Sequence, residues 1–345
     1  MLMQEEKNTT LYLVRHGTTY YNEKMCFQGS LDAPLNELGI WQGALLEDYF
    51  KDIPIDLAVT SPLIRARHTL ELLLGDRKDS VPILEEPDIT EIDGGVMEGL
   101  PFRQCNVLWP EFMTAFNEHP GTWRFPDGES GAEVYNRVSS AICRIARENP
   151  GKTIAMVSHG FSIQTWLNFT QGIPADEMRE WVLDNVAVSK FTFGEDGAIA
   201  VDYVGDSHHL TDDLRQNYDW DDLSVDVPIF VHYPKCSTCR KAKQFLDDHG
   251  IRYQARHIVE VPLKSLEILQ LMDRFDGEPK RFFNTSGQVY RGLGLKDKVG
   301  AMDAEAMAEL LATNGMLVKR PLLIFPDKVL VGFKEDAWRE ALNIQ

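Results

Sequence analysis

Leu11-Tyr12-Leu13-Val14-Arg15-His16-Gly17 runs from an apolar stretch into a polar turn closed by glycine, and the pattern returns at Ile154-Ala155-Met156-Val157-Ser158-His159-Gly160. Each apolar run reads as a strand covered on both faces, the kind that fills a parallel sheet. Loops at the carboxyl ends of parallel strands open into one crevice, so the two histidines can meet although distant in sequence. Two imidazoles and an arginine in one crevice suit phosphate chemistry. One ring can take the phosphoryl group while the other groups hold the anion.

Outward from these two strands, a further apolar run at 56–60 and helical patterns near 37–51, 63–74, 131–148 and 161–171 alternate along the chain. That alternation predicts an α/β fold with a three-layer, mostly parallel sheet and helices on both faces. Ala187–Phe193 and Ala198–Val204 flank Gly194-Glu195-Asp196-Gly197 and read as a hairpin on the sheet edge. Residues 205–227 then crowd Asp212, Asp213, Asp219, Asp221, Asp222 and Asp226 into a segment with few apolar residues. This segment is read as holding a linker. A second unit starts at Ile229-Phe230-Val231-His232-Tyr233. A helix is expected over 237–249, a strand over 253–258, helices over 263–275 and 303–312, a hairpin of Leu322–Phe325 with Val329–Gly332, and a last helix over 335–342. That order suits a small thioredoxin-like layer. The expected division is a domain over 1–210, an acidic linker over 211–227 and a smaller domain over 228–345.

The 345 residues, 43% apolar and 26% charged, are enough for two cores. Residues 228–345 hold 18 Lys+Arg against 15 Asp+Glu, leaving 35 − 18 = 17 basic and 53 − 15 = 38 acidic residues before them. A first half with a net charge of −21 is a poor partner for nucleic acid, and no direct nucleic-acid binding is expected. No stretch has the roughly 18 uninterrupted apolar residues of a membrane span, and the start does not look like a secretory signal. The five cysteines, an odd number, fit a reducing cytoplasm better than a disulfide framework.

Residues 13–23, Leu-Val-Arg-His-Gly-Thr-Thr-Tyr-Tyr-Asn-Glu, resemble the signature of the histidine phosphatase superfamily, the group that contains cofactor-dependent phosphoglycerate mutase. The resemblance continues through Gln28-Gly29, Ser61-Pro62-Leu63-Ile64-Arg65-Ala66, Glu91, Glu98-Gly99, the run Pro126-Asp127-Gly128-Glu129-Ser130 and Ser158-His159-Gly160, in the family's order, over about residues 10–210. It implies a phosphomonoester hydrolase acting through a phosphohistidine on His16, with no metal or other cofactor and a small phosphorylated metabolite as substrate. Arg15 and Arg65 supply guanidinium forks for the phosphoryl oxygens. His159, protonated beside the dianion, adds a donor, and Asn22, Gln28 and Gly29 complete the cradle. Glu91 matches the family's general acid, whereas Glu98 is expected to brace a loop. Arg67 and His68 are expected on a helix surface, and His208-His209 lack a third ligand for a metal. The aromatic residues Trp109, Phe112, Phe116 and Trp123 read equally as a lid or as packing. The short segment that holds them favours hydrolysis over mutase chemistry.

In the second unit, Cys236-Ser237-Thr238-Cys239 follows a strand and opens a helix, a place that stabilises a thiolate. Together with residues 282–287, Tyr290-Arg291, Gly294-Leu295-Lys296, residues 316–323 and Val331-Gly332-Phe333, it resembles the arsenate reductase/Spx family of thioredoxin-like proteins. The resemblance implies a redox pair at Cys236 and Cys239 and anion-holding arginines at Arg291 and Arg320. It also implies either a thiol reductant of the glutaredoxin or thioredoxin type or, as in Spx members, RNA polymerase as partner. Gly332-Phe333-Lys334 stands where arsenate reductases carry a further arginine. Redox chemistry therefore ranks first. A redox-regulated binding protein of Spx type with secondary phosphatase activity comes next, and arsenate reduction third.

Overall fold

A computed structural model describes residues 8–215 and 227–344. Most of the expected linker over 211–227 lies outside the described residues. The chain divides into two compact units, Met1–Pro101 with Thr114–Asp219, and Phe102–Met113 with Trp220–Gln345.

The first unit is built on a six-stranded sheet of β1 (Thr9–Arg15), β2 (Leu57–Thr60), β3 (Ile83–Glu85), β4 (Thr153–Ser158), β5 (Val188–Phe193) and β6 (Ile199–Asp206), in the order β3-β2-β4-β1-β5-β6. The β1, β2, β3 and β4 pairings are parallel, and β5 and β6 join as the expected antiparallel hairpin at one edge. The strand β3 is absent from the sequence reading because all three of its residues are exposed, which erases the apolar signal of a covered strand. Helices Glu37–Phe50, Ile64–Leu74, Gly131–Glu148 and Gly160–Thr170 form where the apolar spacing places them. Ser130 and Glu133 close a reciprocal capping box at the start of the third of these. One core cluster packs Val14, Ala58, Ala155 and Val157 of the sheet against Leu46, Phe50, Leu70 and Leu73 of the first two helices. Burial at roughly 25 cal/mol per Å² of apolar surface makes such a cluster the main stabilising contribution.

The second unit has a four-stranded sheet of β7 (Ile229–His232), β8 (Gln254–His257), β9 (Leu322–Ile324) and β10 (Val329–Val331), in the order β10-β9-β7-β8. β7 pairs parallel with β8 and antiparallel with β9, as a thioredoxin-like layer requires. Helices Ser237–Asp248, Ser265–Asp273, Ala304–Ala312 and Glu335–Ala341 accompany it. Phe230, Leu323, Ala242, Phe245, Leu246 and Trp338 form its core. The Arg320–Pro321 peptide is cis. Among the described residues, no helix is long and apolar enough to cross a membrane.

Candidate functional site

β1 and β4 are neighbours at the centre of the sheet, with Arg15 opposite Ser158. His16 and His159 therefore leave adjacent strand ends, and the His16 N–H donates to the Ser158 carbonyl at 3.0 Å. The turn after β1 is held on every side. Asn185 donates to the His16 carbonyl at 2.9 Å, the Gly17 N–H reaches Thr69 at 3.0 Å, and Gln42 accepts from both the N–H and the hydroxyl of Thr18. Gly39, at the start of the helix Glu37–Phe50, comes so close that a Cβ there would stand 2.0 Å from the Thr18 carbonyl oxygen. Only a residue without a side chain allows that approach.

His16 is 3% exposed, His159 0% and Arg65 1%. The His16 Nδ1 lies 2.7 Å from the Gly17 carbonyl oxygen. A carbonyl only accepts, so Nδ1 carries the proton and Nε2 keeps its lone pair. The single Nε–H of Arg65 is shared between that Nε2, at 3.3 Å, and Nδ1 of His159, at 3.2 Å. His159 then donates from Nε2 to the Ser61 hydroxyl at 2.7 Å. The two rings stand 5.1 Å apart between centroids. Burial, then the charges of Arg65 and Arg15, hold His16 well below the ordinary imidazole value. Burial, then Arg65 and His16, do the same to His159. Desolvation and the adjacent guanidinium disfavour an imidazolium at position 159, so the expected charge belongs to the ring with a dianion beside it.

Arg65 is fixed by the Leu31 carbonyl at 2.6 Å and the Gly29 carbonyl at 2.7 Å. Burial brings its guanidinium down to about 10, still charged at neutral pH. Gly29, with φ +53°, thus serves Arg65 through its carbonyl oxygen. Gln28 lies 2.6 Å from Thr19 Oγ1 and, with its carboxamide oxygen turned inward, accepts from Arg65 at 2.8 Å. Both residues set the arginine in place. Asn22 uses its oxygen in a helix cap. Its carboxamide oxygen accepts from the N–H and hydroxyl of Thr19, capping the short helix Tyr20–Glu23, and no hydrogen bond joins it to His16, Arg65 or His159.

Arg15 donates to the Leu183 carbonyl, and its buried Nε has no acceptor among the described residues. A Cβ built on Gly160 would lie 3.5 Å from that Nε and 3.7 Å from Glu91 Oε2, so guanidinium and carboxylate border one spot. Glu91 accepts from the backbone N–H groups of Phe161 and Ser162 in the first turn of the helix Gly160–Thr170. Arg137 holds the chain behind it, donating to the carbonyls of Thr90 and Glu91 and pairing with both oxygens of Glu129. Glu98 accepts from the N–H groups of Ser30 and Gly94 and ties two turns together. Arg67 is exposed and His68 half-buried on the helix Ile64–Leu74. His208 pairs with Asp206, and among the described residues no group of three His, Cys, Asp or Glu is placed to hold a metal ion. Phe116 and Trp123 pack with Phe27, Phe125 and Phe161 beside Glu91.

Several of these supporting residues are invisible in the sequence reading. Thr69, Asn185 and Arg137 lie far from either histidine in sequence, and nothing in their local pattern distinguishes them from ordinary polar positions.

The thiol site of the second unit is separate. Cys236 caps the helix Ser237–Asp248, and Cys239 is buried one turn on. Burial works against the Cys236 thiolate, but the N–H and thiol of Cys239, the Thr238 N–H and the Arg320 charge outweigh it and bring the thiol below its ordinary value. Burial pushes the Cys239 thiol up. Arg320 lies over the Tyr233 ring and lines a cavity beside Cys236, whereas Arg291 is exposed and not part of that lining.

The neutral histidines give stability a pH dependence. In the unfolded chain both imidazoles take protons near 6.5, whereas in the fold they do so only well below it. Acid therefore favours unfolding. Each ring removes up to about 1.4 kcal/mol of stability per pH unit below that value until its folded-state titration is reached. Thermal melts should fall from pH 7.5 to pH 5.5, and less steeply in His159→Gln.

Residues 11–206 match the family model of the histidine phosphatase superfamily (branch 1), and residues 231–341 match that of the ArsC family. The uncharacterized phosphatase PhoE of Bacillus subtilis is 31% identical over 200 residues, covering 58% of this chain and 96% of the relative. The uncharacterized protein YusI of the same organism is 49% identical over 111 residues, 32% of this chain and 94% of that protein. Among solved structures, YhfR of Bacillus stearothermophilus superposes with a TM-score of 0.54 at 28% identity, covering 58% of this chain and 98% of its own. One match thus accounts for more than half of the sequence and the other for a later, separate part. The chain belongs to the histidine phosphatase superfamily, as a phosphatase that carries a second domain of the ArsC family.

Proposed function

We propose that the first unit hydrolyses phosphomonoesters of small metabolites through a phosphohistidine on His16. The observation that carries this reading is the His16 ring itself. Its Nδ1–H is committed to the Gly17 carbonyl, and its Nε2 lone pair faces the buried Arg65 beside His159. A neutral imidazole attacks without first losing a proton, so turnover at neutral pH needs no separate base for this step. Nε2 bonds to phosphorus as the ester P–O bond breaks, and Glu91 gives its proton to the departing alkoxide. Arg15 and Arg65 hold the equatorial oxygens. His159 gains affinity for a proton when a dianion sits beside it, because an opposite charge at close range favours the imidazolium. Water then attacks the phosphohistidine, Glu91 takes up its proton, and phosphate leaves with His16 restored.

In the second unit we propose a thiol–disulfide function. Cys236 attacks and Cys239 resolves, since the first has the lowered thiol and the second the raised one. A reductant of the thioredoxin or glutaredoxin type would return the pair to its dithiol form, and the reducing cytoplasm is the compartment that suits such chemistry.

Rapid acid-free quenching during turnover of a generic aryl phosphate should trap one phosphoryl group on a ring nitrogen of His16, seen by phosphorus NMR or mass spectrometry. Turnover with no phosphorus on nitrogen would sink the first proposal.

A further inference from the structure

Next to Cys236 the second unit holds a cavity of about 1160 Å³. Drug-sized ligand pockets run to roughly 300–1,000 Å³, so this space is far larger than one tetrahedral oxyanion needs. Its charged lining has one sign. Lys235, Lys280, Arg281, Lys296, Lys319, Arg320 and Lys334 face it, and no Asp or Glu does. Lys280 lies 3.7 Å from Glu278, and Arg281 sits over the Phe275 ring. The other five have no carboxylate partner among the described residues, in a unit otherwise close to neutral. Arg320 donates to the Met316 carbonyl at 3.3 Å but leaves its buried Nε without an acceptor. Phe283 and Phe333 add an apolar wall, and Ser237 and Thr238 bring the open end of a twelve-residue helix to the same space. A reactive sulfur, a large cavity lined by cations and an apolar wall ask for a sizeable ligand that carries its own sulfur and several negative charges.

We propose that the cavity binds the disulfide form of a low-molecular-weight thiol carrying several phosphate groups, and that Cys236 opens that disulfide. The inference rests on the thiol–disulfide reading above and adds the substrate class. A thiol bearing only carboxylates offers fewer charges than the cavity can pair. The chemistry balances in two exchanges. The Cys236 thiolate attacks one sulfur of RS–SR, the S–S bond breaks, and RS⁻ leaves with the electron pair and takes a proton from water. Cys239 loses its proton and attacks Cys236, closing the protein disulfide and releasing the second RSH. The substrate disulfide is reduced and the protein dithiol oxidised, and an external dithiol restores the protein.

The test uses the full chain carrying Cys239→Ser, so that the mixed disulfide on Cys236 accumulates and is read by intact mass. Coenzyme A disulfide, glutathione disulfide and uncharged hydroxyethyl disulfide are compared at matched concentration. Coenzyme A disulfide is expected to react at least about tenfold faster than hydroxyethyl disulfide at low salt, and the ratio should shrink as salt screens the cavity. Lys296→Glu with Lys319→Glu should lower that ratio at least fivefold, by the same Coulombic argument. Reading a ratio separates loss of the cationic lining from loss of fold. Equal rates for the three disulfides, or glutathione disulfide as fast as the phosphorylated one, would overturn the substrate class and leave the redox reading standing. No adduct on Cys236 with any disulfide would overturn both.

Discussion

His16→Ala is expected to lower kcat/KM for a phosphomonoester by about 10⁴- to 10⁶-fold, the usual range when an acting nucleophile is removed. The size follows from geometry. His16 has its tautomer fixed by the Gly17 carbonyl, with Nε2 turned toward Arg65, whereas His159 is anchored through Nε2 to Ser61. The fold should survive, because His16 holds its place through backbone bonds that alanine keeps, from its N–H to Ser158 and from Asn185 to its carbonyl. Steady-state kinetics beside a thermal melt checks both halves. A variant that still turns over and still shows phosphorus on nitrogen would move the nucleophile to another residue.

Arg65→Ala should lower activity less than His16→Ala, by at least about 10²–10³ in kcat, and should also weaken the fold. Loss of one preorganised donor costs about 10²–10³ in kcat, and here one side chain serves both the anion and the two rings. The carbonyls of Gly29 and Leu31 would lose a charged donor, at about 1–3 kcal/mol for each buried group left unpaired. Arg65→Lys should recover some stability but little activity, because an ammonium cannot reach two carbonyls and two imidazoles from one plane. Full activity in the lysine variant would show that Arg65 acts as a point charge only.

Much of this was legible in the sequence for a specific reason. The strands β1 and β4 are covered on both faces, so their apolar runs stand out, and the residues that follow must sit at the sheet's carboxyl edge. The hairpin of β5 and β6 was marked by Gly194 and Gly197, and the thiol pair by its spacing at a helix start. Glu91 was different: only the resemblance to a family singled it out, because a lone glutamate in a loop carries no periodic signal. Asn22 has a second use that residue type alone does not reveal: three residues after Thr19, its carboxamide oxygen caps a helix. Arg291 and the lysines show another limit. Helix and loop geometry leave the arginine in solvent and bring Lys296 and Lys319 to the cavity, and nothing in local spacing distinguishes the two outcomes. The downward pull on the His159 titration belongs to burial and to Arg65, which come together only once the sheet is assembled.

The central pairing of β1 with β4 has a consequence for how the protein is made. A ribosome delivers residues 9–15 long before residues 153–158, so the first strand waits through most of the unit's synthesis without its neighbour. Phosphatase competence arrives late, after the second histidine emerges, its strand slots between β1 and β2, and Leu183 and Asn185 follow to hold Arg15 and His16. Until then the nascent chain exposes an unpaired strand edge with the apolar run Leu11–Val14 beside it, which makes this interval the one in which a chaperone would be most needed.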